Sequence, residues 1–314
     1  MLVHRGLLRT VAGSSHVVTI GNFDGVHLGH QAILRELREA SLRLGIPSCV
    51  VSFEPHPREF FAPQAAPPRL TSLREKCALL AEHGVARMQV CRFDQAFSRL
   101  TADQFIDSVL VQGLGTRWLM IGEDFRFGAK RGGDFTTLQS AGTAAGFEVH
   151  AMPTVVSGAV PGEPARVSSS ALRETLAAGN VEQAQALLDR PYSISGRVMH
   201  GDKIGRTLGF PTANVHLRHK RPLATGIYAV HVCGLGETPL NAVASLGVRP
   251  TVTNSNEMRL EVFILDFSEQ IYGRRVRVDF LRKLRDEEKY EDLDTLKGQI
   301  ARDCDAARIY FSRA

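Results

Sequence analysis

No stretch of this chain approaches the roughly 18 consecutive apolar residues that a membrane-crossing helix needs. The opening residues MLVHRGLLRT are broken by His4, Arg5 and Arg9, so they do not read as the apolar core of a signal peptide. Cysteine is scarce. The five present (Cys49, Cys77, Cys91, Cys233, Cys304) are odd in number, scattered, and never in a CxxC pair. That argues against a disulfide framework or a zinc site and for a reducing compartment, so a cytoplasmic location is expected. There is no internal repeat, no low-complexity tract and no GxxxxGK[ST], so any phosphate binding here does not use a P-loop. The first 189 residues also lack a charge bias, with 18 Lys/Arg against 18 Asp/Glu. The whole net charge of +5 therefore falls in residues 190–314, with 20 basic against 15 acidic side chains. A mild basic excess suits phosphate-bearing ligands. No basic stripe interleaves with aromatics, so small-molecule partners are expected and nucleic acid is not.

What is present is enough for two domains. The chain has 314 residues, 44% hydrophobic and 23% charged, so each half can bury a core and remain well solvated. The first half alternates two patterns. VVTI reads as a buried strand, followed by helical spacing through Ile33, Leu34, Leu37, Ala40 and Leu44. SCVVSF, RMQVCRF, RWLMIG and FEVHAM repeat the strand pattern, with helices around Thr71–His83, Thr101–Val111 and Asp134–Ala145. Such alternation predicts an α/β Rossmann-like domain, a parallel sheet with helices on both faces and ligands at the carboxyl ends of its strands. Residues 157–168 read as a loop, and a helical stretch then runs to Pro191. Beyond it, YSISGRVMH, GIYAVHV, NAVASLGV, RLEVFILDF and RRVRVDFL read as short antiparallel strands of a small β-barrel or sandwich. From Glu291 onward Leu293, Leu296, Ile300, Ala307 and Phe311 share a helix face. The boundary is expected at 186, giving domains 1–186 and 187–314.

The chemistry-bearing motifs lie where that architecture puts ligands. GNFDGVHLGH follows the first strand and places His27 and His30 three residues apart at a helix start. Their N–H groups, added to the helix's unpaired backbone donors, can clamp a triphosphate, while Gly25 and Gly29 permit close approach. A structural or metal-binding His pair is the bland alternative. VSSSALRE puts Ser168, Ser169 and Ser170 at another helix start, with Arg173 one turn on, suited to a leaving pyrophosphate. Phe125 and Phe127 of GEDFRFG could stack on a flat ring system or simply pack in the core. Glu54 and His56, between Pro55 and Pro57, read as shaping a turn. In the second half, GRVMHGDKIGRTLGFPTANV surrounds Lys203 and Arg206 with glycines, including Gly201 and Gly205, a phosphate cradle or a flexible hairpin. Thr212 and Asn214, two apart in extended chain, point the same way as neutral oxygen ligands for magnesium.

Over residues 17–175 the motifs GNFDGVHLGHQ, SFEPHPREFF, IGEDFRFGAKRGGD and RVSSSALRE resemble the adenylyltransferase module of bifunctional riboflavin kinase/FAD synthetases, within the HxGH nucleotidyltransferases. The resemblance implies ATP handling by Gly21, Asn22, Phe23, His27, Gly29, His30, Ser168, Ser169, Ser170 and Arg173, with Asn22 orienting the reacting phosphate. It also implies flavin contacts at Asp124, Phe125, Arg126 and Phe127. Over about 190–311, GRTLGFPTAN, GIYAV, SLGVRPT, RLEVFILDF and VDFLRKLRDEEKY resemble the riboflavin kinase domain of the same enzymes. By that resemblance Glu261 is the catalytic base, and Thr212 and Asn214 hold Mg²⁺. Gly201, Lys203, Gly205, Arg206 and Thr207 would hold ATP, and Arg249 would contact flavin. A Glu within apolar LEVFIL is expected to be buried, which would raise its pKa. The function implied is phosphorylation of riboflavin to FMN and adenylylation of FMN to FAD, with ATP and Mg²⁺. In the alternative only one activity survives and the other domain is a flavin-binding or docking module. Phe263 and Ser245 depart from the family pattern, where His and Asn are expected, which puts flavin contacts in question. A homo-oligomer is left open.

Overall fold

The computed structural model describes residues 1–6, 15–157, 165–200, 209–217, 219–250 and 256–313. Its contacts divide it into two compact units, Met1–Pro67 with Leu73–Ser168, and Pro68–Ser72 with Ser169–Ala314.

In the first unit, β1 (Leu2–Arg5), β2 (His16–Ile20), β3 (Ser48–Glu54), β4 (Arg87–Arg92), β5 (Thr116–Gly122) and β6 (Glu148–Met152) form one parallel sheet in the order β1-β4-β3-β2-β5-β6. Three long helices cover it: α1 (Leu28–Leu44), α2 (Leu73–Glu82) and α3 (Phe135–Ala145). The strands read as continuous apolar runs because successive residues enter opposite cores. Val17, Val50, Trp118 and Met120 pack with Leu34, Leu37 and Leu80, while Val18, Cys49, Val51, Leu119 and Ile121 pack with Phe105, Leu110 and Leu138. After β4 the chain crosses back to lay β5 beside β2, so the carboxyl ends of β2 and β5 form the topological switch point of the sheet.

The expected α/β architecture is present, with differences in detail. The sequence reading did not foresee β1, which is short and half-polar and lies at the sheet edge against β4. The helix expected over Thr101–Val111 is one α-turn, Ala102–Phe105, running into a π-helical segment, Ile106–Val111. The segment read as a loop, 157–168, contributes to a small hairpin, in which β7 (Val156–Ser157), beginning one residue before it, pairs with β8 (Ala165–Arg166).

In the second unit, α4 (Ser169–Ala177) and α5 (Val181–Leu188) precede six strands. These are β9 (Tyr192–Met199), β10 (Ala213–Val215), β11 (Gly226–Cys233), β12 (Leu240–Pro250), β13 (Asn256–Ile264) and β14 (Arg275–Arg285). They close into a barrel in the order β10-β13-β12-β11-β14-β9. Strand alternation fills the barrel with Ile194, Tyr228, Val230, Leu246, Leu260, Val262, Val278 and Phe280. It turns Ile227, Ala229, Val243 and Phe263 outward, against α6 (Leu293–Phe311). Asp292 caps α6 by accepting a hydrogen bond from the Thr295 N–H at 2.7 Å. β10 was missed in the sequence because three residues inside a Gly-rich motif carry too little pattern to read.

Candidate functional sites

The first site forms where β2 gives way to α1. The turn is held in an unusual backbone: Phe23, Gly25 and Val26 have φ of 47°, 86° and 43°. Only Gly25 adopts that region without steric cost, so two strained residues are held there by their surroundings. His27 caps α1, its Nδ1 accepting from the His30 N–H at 3.4 Å. The two imidazoles stack at 3.8 Å with 20° between planes, and the Phe23 ring lies against His30 at 4.8 Å. A Cβ at Gly29 would come within 3.2 Å of the His27 ring, so any larger residue would push that ring from its place. The same Cβ would lie 3.5 Å from the carbonyl of Val167, which brings the residue before Ser168 to the histidine turn. Burial, and then the charges of His27 and Lys76, hold His30 well below the usual histidine pKa.

Two buried atoms here have no partner among the described residues: His30 Nδ1 and Asn22 Oδ1. Buried polar atoms are nearly always hydrogen-bonded, so both atoms are open to a partner that the described residues do not supply. Phe23 is closed to solvent. Ser169, Ser170 and Arg173 belong to the second unit. There Arg173 Nε donates to the Pro68 carbonyl at 2.8 Å and Nη1 donates to the Ser169 carbonyl at 3.2 Å.

At the end of β5, exposed Asp124 accepts from Arg166 Nη2 at 2.6 Å. Phe125 and Phe127 stack at 5.7 Å, Phe127 within the core and Phe125 half-buried at its edge. Arg126 is exposed, 4.0 Å from Asp134. Sequence reasoning missed a larger aromatic feature. Phe61, Phe93, Phe97, Phe105, Phe127 and Phe125 form an unbroken ladder of ring contacts between 5.4 and 6.1 Å. One end is open, since Phe61 is 66% exposed. The contributing residues are scattered over four segments, so no local motif announces them. His56 Nδ1 accepts from the Arg58 N–H and the Glu59 carboxylate accepts from the His56 N–H, a capping box that gives FEPHP its shaping role.

The second site lies on the outside of the barrel. Glu261 on β13 stands opposite Asn214 of β10 and Ser245 of β12, so the three side chains share one face. Glu261, Thr212, Ser245, Phe263, Phe210, Val243 and Ile227 line a cavity of about 500 Å³ whose other wall is α6, through Leu293, Leu296, Ile300 and Cys304. Thr212 also lines an adjoining cavity of about 310 Å³, together with Asn214. Thr212 thus stands on the border between a largely apolar chamber and a second recess.

The expected burial of Glu261 is not met. Its side chain is 39% exposed, with the Arg259 guanidinium 4.0 Å away. The apolar neighbours Leu260 and Val262 point into the barrel, so an apolar string in sequence does not make an apolar environment for the residue between them. Both family departures, Phe263 and Ser245, fall in the chamber, Phe263 edge-on to Phe210 at 5.3 Å. Arg285 also lines it and is clamped by Asp303 of α6, Nε to Oδ1 at 2.8 Å and Nη2 to Oδ2 at 2.7 Å. That pairing raises the arginine's pKa further. Gly201, Lys203, Gly205, Arg206 and Thr207 lie outside the described residues, as does the side chain of Arg249.

No group of three or more His, Cys, Asp or Glu among the described residues could hold a metal. Thr212 and Asn214 supply neutral oxygens, which suit a hard cation whose charge is balanced by a nucleotide's phosphates.

Residues 11–171 match the family model described as FAD synthetase, and residues 188–311 match that described as riboflavin kinase. The bifunctional riboflavin kinase/FMN adenylyltransferase of Escherichia coli (strain K12) is 50% identical over 295 residues, covering 94% of this chain and 92% of that protein. The protein of the same name from Pseudomonas fluorescens is 49% identical, over 93% and 92% of the two chains. A crystal structure titled as a macrolide-efflux protein from Streptococcus pneumoniae has a TM-score of 0.83 at 29% identity, covering 98% of this chain and 99% of that one. Among the described residues no helix is long and apolar enough to cross a membrane. With both halves matched in order and near-full-length relatives at half identity, this chain belongs to the bifunctional riboflavin kinase/FMN adenylyltransferase family.

Proposed function

We propose that the His27–His30 site adenylylates FMN and that the Glu261 face of the barrel phosphorylates riboflavin, the functional division falling at 1–186 and 187–314. The chain carries both reactions, ATP-dependent formation of FMN and then of FAD. The reading in which one domain is only a docking module has no support, since both enzymatic families are matched.

In the first reaction the FMN phosphate attacks the α-phosphorus of ATP and pyrophosphate leaves. A phosphate is already anionic at neutral pH, so placement and charge neutralisation suffice and no strong base is needed. The observation that carries this assignment is the pair of unpartnered buried atoms, His30 Nδ1 and Asn22 Oδ1, at the sheet's switch point. Each could pair with a polar ligand such as a triphosphate. Gly21, Gly29 and the Phe23 backbone let the nucleotide approach, while Ser168, Ser169, Ser170 and Arg173 receive the pyrophosphate. Asp124, Phe125, Arg126 and Phe127 serve the flavin.

In the second reaction the terminal ribityl hydroxyl attacks the γ-phosphorus and ADP leaves. A hydroxyl does need a base, and Glu261 takes its proton. With its carboxylate partly solvated and near Arg259, Glu261 works by position more than by a raised pKa. Thr212 and Asn214 would hold Mg²⁺, whose positive charge would offset that of the nucleotide's phosphates. The 201–207 segment and Arg249 complete the ATP and flavin contacts. A cytoplasmic setting accords with five free cysteines.

The test is product analysis by chromatography after incubation with riboflavin, ATP and Mg²⁺. FAD formed from riboflavin is expected. FMN without FAD would remove the His27–His30 assignment, and untouched riboflavin would remove that of Glu261.

A further inference from the structure

A buried cation stands behind the nucleotide turn, and neither motif nor mechanism accounts for it. Lys76, one turn into α2, is only 5% exposed. Burying an ammonium is costly unless its position is used, so its contacts are informative. Its Nζ donates to Ser52 Oγ at 3.5 Å, and Ser52 Oγ donates to the Asn22 carbonyl at 3.3 Å. Ser52 is itself buried, near the carboxyl end of β3. The lysine is therefore two links from the residue whose Oδ1 is left unpaired at the site. It supports the turn at Asn22, the residue before the strained stretch of Phe23, Gly25 and Val26.

We propose that Lys76, acting through Ser52, is a positioning residue for adenylyl transfer, anchoring the Asn22 end of the turn and setting the electrostatic environment of the His27–His30 pair. This rests on the assignment of that pair to FAD formation. The charges acting on His30 are those of His27, on its own element, and Lys76, on α2. Both disfavour its protonation, so Lys76 helps keep His30 a neutral imidazole. Ser52 carries the mechanical half of this role and no charge. The two halves can therefore be separated by mutation.

The experiment uses the full chain and follows FAD formation from FMN and ATP between pH 5.5 and 9, with riboflavin phosphorylation in the same samples as control. For Lys76→Met we expect kcat to fall on the order of tenfold or more, with KM for ATP and FMN changed less than about threefold. The acid limb of its pH profile should move to higher pH, because His30 then protonates more readily. Lys76→Arg should restore the wild-type acid limb. Ser52→Ala, a milder change, should lower kcat by about threefold or more and leave the acid limb where it was. Kinase activity should be unaltered throughout. A lowered thermal midpoint with an unmoved pH profile in Lys76→Met would reduce the lysine to scaffolding and overturn the proposal. So would unchanged kcat in Ser52→Ala, which decides the matter if the lysine variant does not fold. Wild-type protein that makes no FAD from FMN would instead refute the underlying site assignment.

Discussion

The proposed division of labour comes down to two residues. His30 carries an unpaired buried nitrogen at the turn after β2, and Glu261 is a carboxylate lining the chamber beside α6. His30→Ala should abolish FAD formation and leave FMN formation intact, and Glu261→Ala should do the reverse, both read from the same product chromatogram. Loss of both activities from either folded variant would refute the division. Phe263 sits in the chamber with Glu261 and Phe210. Phe263→His should therefore change the riboflavin KM severalfold while the ATP KM stays within about twofold; an unaltered riboflavin dependence would deny Phe263 a flavin contact. At this scale the sequence was informative about residue type and weak about environment. HLGH and GFPTAN could be read directly, because a tight turn, a helix start and an extended dipeptide are local geometries. The half-exposed state of Glu261 could not, because it depends on which strand face the barrel turns outward.

Among the elements, α6 matters most to the proposed kinase site, since it forms one wall of the chamber. It is tied to the end of β14 by the two-pronged Arg285–Asp303 pair, with Gln299 Nε2 donating to the same carboxylate at 2.9 Å. Asp303→Asn breaks a largely buried pair and strands the guanidinium. We expect a loss of about 2–3 kcal/mol by denaturant unfolding, together with a raised KM for riboflavin and normal FAD formation from FMN. Equal effects on both activities would mean that the clamp has no particular bearing on the chamber. The helix itself was legible from the spacing of Leu293, Leu296, Ile300 and Ala307, but its clamp was not, since Arg285 and Asp303 are eighteen residues apart on different elements. The same holds for β1 and β10. Strands of three or four residues carry almost no periodic signal and exist because a longer neighbour offers them a ladder.

For the molecule as a whole, acid sensitivity follows from two histidines, His16 buried and His30 half-buried. His16, at the start of β2, donates through Nδ1 to the Leu114 carbonyl at 2.6 Å, and its Nε2 lies 3.1 Å from Arg87 Nη1. Burial, with Arg87 beside it, lowers its pKa despite the opposing pull of that carbonyl. His30 is shifted in the same direction. A histidine whose folded pKa lies below its unfolded value near 6.5 favours folding fully above that value and progressively less below it. Stability to denaturant should thus fall as pH drops from about 7 toward 5, and His16→Gln should flatten that dependence. A wild-type unfolding midpoint constant across the interval would refute this account. By itself the sequence determined the two-domain order, the strand–helix alternation of the first half, the short strands of the second, and the motif-bearing turns. Each is encoded in spacing along a few consecutive residues. Only the tertiary structure decided the Phe61-to-Phe125 ladder, the buried Lys76–Ser52–Asn22 chain, and the chamber between barrel and α6. These are contacts between segments distant in the chain, set by sheet order and barrel closure, and local spacing does not record such pairings.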